Sequence, residues 1–398
     1  MTLFHGFGVF ASSGSRGAAG AGYAVGGQIP NRDTVDKFLF SNDSRTTLAT
    51  GLSSPRYQLA GFASATAGYA AGGKSPSTAT VDKFLFSDDS RTTLATGLSS
   101  ARYQMTGFAS TTAGYVAGGS PPILATVDKF LFSDDSRSTL ATGLSVGRRG
   151  LAGFASATAG YAVGGRRVSE PVMVTTVDKF LFSDDSRTTL ATGLSVGRYM
   201  LAGFASATAG YAAGGSPPTT TTVDKFLFSD DSRSTLATGL SFARRGLAGF
   251  ASATAGYAVG GRRVSEPVMV GTVDKFLFSD DSRTTLATGL SSARYMLAGF
   301  ASATAGYAAG GSPPTTTTVD KFLFSDDSRS TLATGLSVAR RYVAGFASTT
   351  AGYVAGGNED VAGTVATVDK FLFSNDSRTT LATGLSAAVR YATGFASQ

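Results

Sequence analysis

The segment TVDKFLFSDDSRTTLATGL, Thr80–Leu98, returns almost unchanged along the chain, and no other feature restricts the fold as much. Its VDK tripeptide begins at Val35, Val81, Val127, Val177, Val223, Val273, Val319 and Val368, at intervals of 46 to 50 residues. A double glycine closing GYAAGG or a close variant also occurs eight times, from Gly26-Gly27 to Gly356-Gly357. Eight units of about fifty residues each point to stacked repeats forming one body rather than the two or three domains that the length alone suggests.

Each unit reads as four short strands. RYQLAGFAS, Arg56–Ser64, is the first and AGYAAGG the second. TVDKFLFS is the third; its period of two puts Asp82, Phe84 and Phe86 on one side and Val81, Lys83 and Leu85 on the other. SDDS is a turn, because Asp and Ser side chains bond the local backbone. Thr-rich RTTLAT is the fourth strand. No segment carries an apolar period of 3.6, so the chain is expected to be all-β. Four strands per unit with Gly and aromatic landmarks suit a propeller blade, in which Phe and Tyr of one blade pack on Ala and Gly of the next.

An apolar strand ending in GG, a VDKF strand, a turn and then an Arg resemble the kelch repeat, and the wording is most similar to kelch-like propellers of bacteriophages and bacteria. The resemblance covers residues 22–398 and departs from the family at the fourth strand, where Thr93 and Leu94 replace its Trp. It implies an eight-bladed β-propeller of four-stranded antiparallel blades over 22–398, preceded by a Gly/Ala/Ser-rich segment, 1–21. The last strand, Arg390–Gln398, is a first strand without a second, and Gly22–Gly27 is a second without a first. Pairing them closes the ring and removes two open edges; Gly6-Phe7 is the rival source of the missing strand. A 96-residue period and two copies of RRVSEPVMV, at 166–174 and 262–270, mark duplication of a two-blade unit.

The chain has no Cys and a single histidine, His5, so it is expected to hold no disulfide, metal site or cofactor. Copper oxidases of the galactose oxidase type share the kelch-like fold, but their chemistry needs several His and Tyr ligands. The SDDS turns lack the spaced oxygen ligands of a calcium loop. No run approaches the ~18 apolar residues of a membrane span, and the N-terminus lacks the basic start of a signal peptide; a cytosolic and a virion protein would look alike in these respects. Glu170 and Glu266 form the one conceivable acid–base pair, in duplicate loops two blades apart. A non-enzyme is the expectation.

All length variation falls after the double glycine, and a second variable spot precedes the first strand. In an up-and-down blade both lie on one rim, and loops on a rigid scaffold are where binding usually resides. This face carries 17 bases and 5 acids, whereas the turn face carries 8 bases and 14 acids, within a net charge of +7. One Arg stands in register at seven junctions: Arg56, Arg102, Arg148, Arg198, Arg244, Arg294 and Arg340; in the last copy Val389 takes its place and Arg390 follows. These are expected to ring the channel mouth and engage a ligand, or else to satisfy carbonyls and pair with an Asp. The next position is Tyr57, Tyr103, Tyr199 and Tyr295 or Arg149, Arg245 and Arg341, and the duplicated loops add Arg166, Arg167, Arg262 and Arg263. Arg beside Tyr suits carboxylate, phosphate or sugar recognition. A binding propeller for an acidic glycan or protein surface, in the setting of a virion adhesin or tail component, is therefore expected, with a self-associating particle-decoration module as the alternative. Nucleic acid is disfavoured, because the aromatics do not follow a groove.

Overall fold

The computed structural model describes residues 21–396 apart from 28–31, 40–44, 49–51, 57, 65, 75, 86, 89, 168–172, 200, 217–218, 264–267, 348–349, 361–362, 383–384, 386–387 and 389–392. Tyr57, Arg390, Glu170, Glu266, His5 and the Gly6-Phe7 strand lie outside them.

The described chain forms antiparallel strands in four-stranded sheets. β1 (Ala21–Gly27), β2 (Arg32–Leu39) and β3 (Arg45–Thr47) come first. The next blade is β4 (Ala60–Ala63), β5 (Ala67–Ala71), β6 (Val81–Leu85) and β7 (Arg91–Thr93), in sequential order. The same pattern recurs over 106–139, 152–189, 202–235, 248–285, 298–331 and 344–380. The final strand, β32 (Thr393–Ala396), pairs with β1, Tyr23 opposite Phe395.

The expected count of eight blades is corrected accordingly. Seven blades are completed within continuous chain, and the remaining sheet is a composite, β3-β2-β1-β32, assembled from both ends. The first described strand, β1, is a second strand of the repeat, and β32 lies beside it as the innermost strand of its sheet. The innermost strands touch in an unbroken cycle, with β32 between the inner strand of the 344–380 blade and β4.

Alternation on the third strand sends successive side chains into the two flanking blades. Val81 packs with Tyr69, Leu94 and Leu98 against Val116 and Phe130 of the following blade. Phe84 joins Val35, Leu48 and Leu59 on the other side. Burying each such side chain contributes about 1.5–3 kcal/mol.

Glycine makes the close approach of blades possible. Phe62 of β4 lies on Gly114 of the next blade, where a Cβ would overlap the ring, and Phe108 covers Gly160 likewise. Phe62 also stacks on Tyr69 at 4.9 Å between centroids. At the other end, the Gly73 N–H donates to Arg102 O of the next blade at 2.9 Å, a bond repeated from Gly119 to Arg148 and from Gly261 to Arg294. Gly72 has φ +59° and sits so near Arg102 O that a Cβ would fall 2.6 Å from it. The double glycine is thus a junction between blades, required by backbone shape and by space.

Candidate functional site: an arginine and tyrosine rim over buried ion pairs

The sequence places eleven or so basic side chains at the junctions, and the structure divides them into an inner and an outer set. Residues Arg56, Arg102, Arg148, Arg198, Arg244, Arg294 and Arg340 are 0–1% exposed. Each guanidinium lies 2.7–2.9 Å from the third-strand Asp of its own blade: Asp82, Asp128, Asp178, Asp224, Asp274, Asp320 and Asp369 respectively. Each also donates to a second-strand carbonyl, as Arg198 does to Ala212 O at 2.9 Å. They point into the blade instead of ringing the channel mouth. A buried charge is tolerable only when paired and hydrogen-bonded, and these seven are.

The carboxylate is served from three elements. Asp82 Oδ2 accepts from Arg56 at 2.7 Å, from the Ser53 N–H at 2.8 Å and from Ser53 Oγ at 3.0 Å. Its Oδ1 accepts from Thr93 Oγ1 at 2.7 Å and from Arg91 Nη1 at 3.2 Å. Thr93 is therefore a ligand of the buried acid, and Leu94 beside it is buried. Burial alone would raise the Asp82 carboxyl, but Arg56 and the Ser53 and Thr93 hydrogen bonds hold it below its ordinary value. Asp128, Asp178 and Asp320 behave alike.

On the opposite face, the turns carry a second repeated cluster. The second Asp of each described turn has φ near +60°, as at Asp135 and Asp185. Asp135 Oδ2 accepts from Lys83 Nζ of the preceding blade at 2.7 Å, and its Oδ1 from Tyr69 OH at 2.9 Å. Lys129 and Tyr115 hold Asp185 in the same way. The Lys of VDK thus pairs across blades, not across strands, and its turn Asp is a structural staple. Burial pushes the Tyr69 and Tyr115 hydroxyls well up, helped by hydrogen bonding to those carboxylates.

The outer set forms the rim. Arg149, Arg166, Arg245, Arg262, Arg263 and Arg341 are half-buried and Arg167 is exposed; Tyr103 and Tyr295 are half-buried and Tyr199 is 9% exposed. The two variable segments meet there as isolated β-bridges: Tyr103 with Ser120, Arg149 with Arg166, Tyr199 with Ser216, Arg245 with Arg262, Tyr295 with Ser312 and Arg341 with Asn358. Tyrosine blades alternate with arginine blades around this stretch of rim. Neighbouring blades also touch through these side chains: Arg262 lies over the Tyr295 ring at 5.8 Å, and Lys74 over Tyr103 at 5.0 Å. Arg341 Nη1 donates to Ser312 Oγ of the preceding blade at 2.8 Å and pairs with Asp360 at 3.5 Å.

With seven arginines turned inward, the bases left at the variable spots among the described side chains are Lys74, Arg149, Arg166, Arg167, Arg245, Arg262, Arg263 and Arg341, against Asp33, Glu359 and Asp360. Lys74 counts among the bases of this face but is not among the candidate site residues read from sequence, and Phe242, an exposed ring capped by Arg263 at 5.3 Å, is not singled out there. Both sit at the variable spots, and that position was the available signal. Further in, residues with φ near +60° link blade to blade: the Gln104 N–H donates to Gln58 O, Gly150 to Gln104 O, and Tyr342 to Met296 O, at 3.1–3.2 Å. Among the described residues these bonds tie the rim positions in two runs, Gln58–Gln104–Gly150 and Gly246–Met296–Tyr342. Among the described residues no three His, Cys, Asp or Glu side chains gather as metal ligands, and no helix is long and apolar enough to cross a membrane.

No protein-family model matches the chain, and no curated protein matches it in sequence. Among solved structures the fold is similar to that titled "Structure of YjhT", a propeller, with a TM-score of 0.50 and 13% identity over 82% of this chain and 98% of that one. At that identity the likeness is one of fold.

Proposed function

We propose that this propeller is a non-catalytic binding module whose arginine and tyrosine rim engages an acidic or glycan-bearing surface. The observation that carries the reading is the contrast between the two arginine sets. Every inner guanidinium is neutralised by a carboxylate, whereas Arg149, Arg166 and Arg262 form no ion pair among the described residues. Uncompensated arginines half-sunk beside tyrosines, on the face where the loops vary in length, suit recognition of anionic groups and sugar rings. The phage-like wording of the repeats makes a host-surface glycan, met by a virion or tail adhesin, the first class to test.

The test is binding of acidic glycans, neutral glycans and synthetic polyanions as a function of salt. Affinity should fall with ionic strength and drop sharply in a variant carrying R149S, R166S and R262S. Indifference to both would remove the rim from consideration.

A second reading has its own support. The turn face exposes Asp88, Asp134, Asp184, Asp230, Asp280 and Asp326, so its sign opposes that of the rim. Discs of this kind suit head-to-tail assembly in a particle-decoration module, and a chain that stays monomeric at high concentration by light scattering counts against it.

A further inference from the structure

Of the contacts at the rim, two are opposed like charges. Arg149 and Arg166 exchange both backbone hydrogen bonds, at 3.1 and 2.9 Å, and Arg245 and Arg262 do so at 3.0 and 2.9 Å. Residues paired in this way stand directly opposite each other with side chains on the same face of the ladder. Like charges in that relation destabilise a sheet. Yet no carboxylate among the described residues pairs with Arg149, Arg166 or Arg262. Ser occupies the bridged position in the alternate blades, at Ser120, Ser216 and Ser312, so the bridge itself does not require arginine.

A tyrosine from the following blade borders each pair. The Tyr199 ring comes within 3.8 Å of the Cβ position of Gly150, next to Arg149, and the Tyr295 ring within 3.5 Å of that of Gly246, next to Arg245. Arg262 faces Tyr295 as well. Two arginines standing opposite each other on one face of the ladder, with an aromatic ring bordering the bridge, offer several N–H donors in fixed forks and an apolar wall. The arrangement occurs twice, two blades apart, and each copy is tied by a backbone hydrogen bond to an adjoining blade, Gly150 to Gln104 and Met296 to Gly246.

We infer that Arg149/Arg166/Tyr199 and Arg245/Arg262/Tyr295 are two equivalent oxyanion clamps that bind successive anionic groups of one acidic polysaccharide. Each clamp takes a sulfate or carboxylate between its guanidinium groups while the sugar ring rests against the tyrosine. Tyr295 is half-buried and Tyr199 keeps 9% of its surface exposed, so a sugar meets a tyrosine edge at each clamp, and both clamps lie at the same position of the repeat. Occupying both by a single chain makes the second contact intramolecular, so affinity for a polymer exceeds that for a short ligand by the effective concentration. The inference rests on the binding reading above.

The test uses the full chain and three probes at constant ionic strength: a sulfated disaccharide, long dextran sulfate and a single-stranded oligonucleotide. Calorimetry should count two disaccharide sites in the wild type, one in R149S/R166S, one in R245S/R262S and none in the quadruple variant. Loss of either clamp should weaken dextran sulfate binding about tenfold or more, with the thermal midpoint unchanged as the control for folding. Disaccharide stoichiometry that ignores the clamps overturns the inference and leaves the general reading standing. Failure of every polyanion to bind removes both. Oligonucleotide binding as tight as that of dextran sulfate, with the same clamp dependence, overturns the assignment to a saccharide.

Discussion

The Arg56 guanidinium meets the Asp82 carboxylate at 2.7 Å with no exposed surface on either side chain, and the same meeting occurs in all seven continuous blades. Removing the arginine leaves the buried carboxylate to its Ser and Thr donors and a partly exposed fourth-strand Arg, and breaking a buried pair typically costs about 3–5 kcal/mol. Arg198→Ala is therefore expected to lower unfolding stability by about that amount. A double variant with Arg198→Met and Asp224→Leu should recover much of the loss, because two apolar groups leave no uncompensated charge. Urea melts of the two variants decide the matter; equal destabilisation would show that the Asp–Ser–Thr network matters more than the pair.

The pH profile follows from the same groups. Asp82, Asp128, Asp178 and Asp320 have folded values held below the ordinary carboxyl range. Their contribution is fully present above the unfolded value of about 3.9 and is lost as pH falls beneath it. Tyr69, Tyr115, Tyr161, Tyr211, Tyr257 and Tyr307 are shifted the other way, upward, by burial and by donating to a turn Asp. Theirs is present below about pH 10 and is lost above it. Thermal midpoints should form a plateau between about pH 5 and 9 and fall on both sides. Ionisation of all fourteen tyrosines near pH 10 in the folded protein, read by absorbance, would contradict the alkaline limb.

What the sequence showed and what it hid have a common physical cause. The repeat period, the strand alternation and the pairing of Tyr23 with Phe395 across the chain ends concern backbone, which periodicity reports directly. Partner choice by side chains is another matter. Asp82 and Lys83 are neighbours and look like one ion-pair motif, yet alternation points them to opposite faces, and Lys83 reaches Asp135, 52 residues away. Likewise nothing in the letters RR separates Arg148, which is buried against Asp178, from Arg149 on the rim.

Gly114 is occupied by space alone, its Cβ position being filled by the Phe62 ring. Gly114→Ala should overpack the interface between blades and cost about 1–3 kcal/mol. Phe62→Leu introduced alongside it should relieve part of the strain. At Gly363, φ is +83° but nothing lies within 4 Å, so alanine there should cost only the backbone term of about 1 kcal/mol. Equal losses at the two sites, measured by chemical denaturation, would mean that the rings can move aside.

Closure rests on β32, which pairs with β1 and touches β4. Deleting residues 390–398 strips the composite sheet of its inner strand and exposes an edge of β1 to solvent and to other chains. A lower thermal midpoint and concentration-dependent aggregation are expected. A truncated chain as stable and as monodisperse as the parent would mean that the ring does not depend on its last strand.

Arg340 and Arg341 are adjacent, and the two should differ most of all. Arg340 is fully buried, 2.9 Å from Asp369, and donates to Val354 O at 3.0 Å. Arg341 is 27% exposed and meets Asp360, 42% exposed, at 3.5 Å. A pair of the second kind contributes about 0–1 kcal/mol, whereas loss of the first leaves Asp369 facing Arg378 alone from the fourth strand. Arg340→Ala should therefore lower stability by about 3–5 kcal/mol and Arg341→Ala by less than about 1 kcal/mol. In 0.5 M salt the small effect should shrink further through screening, and the large one should persist, since the buried pair is shielded from the solvent ions. Denaturation of both variants at two ionic strengths measures all four values; a salt-sensitive Arg340 effect would place that group at the surface after all.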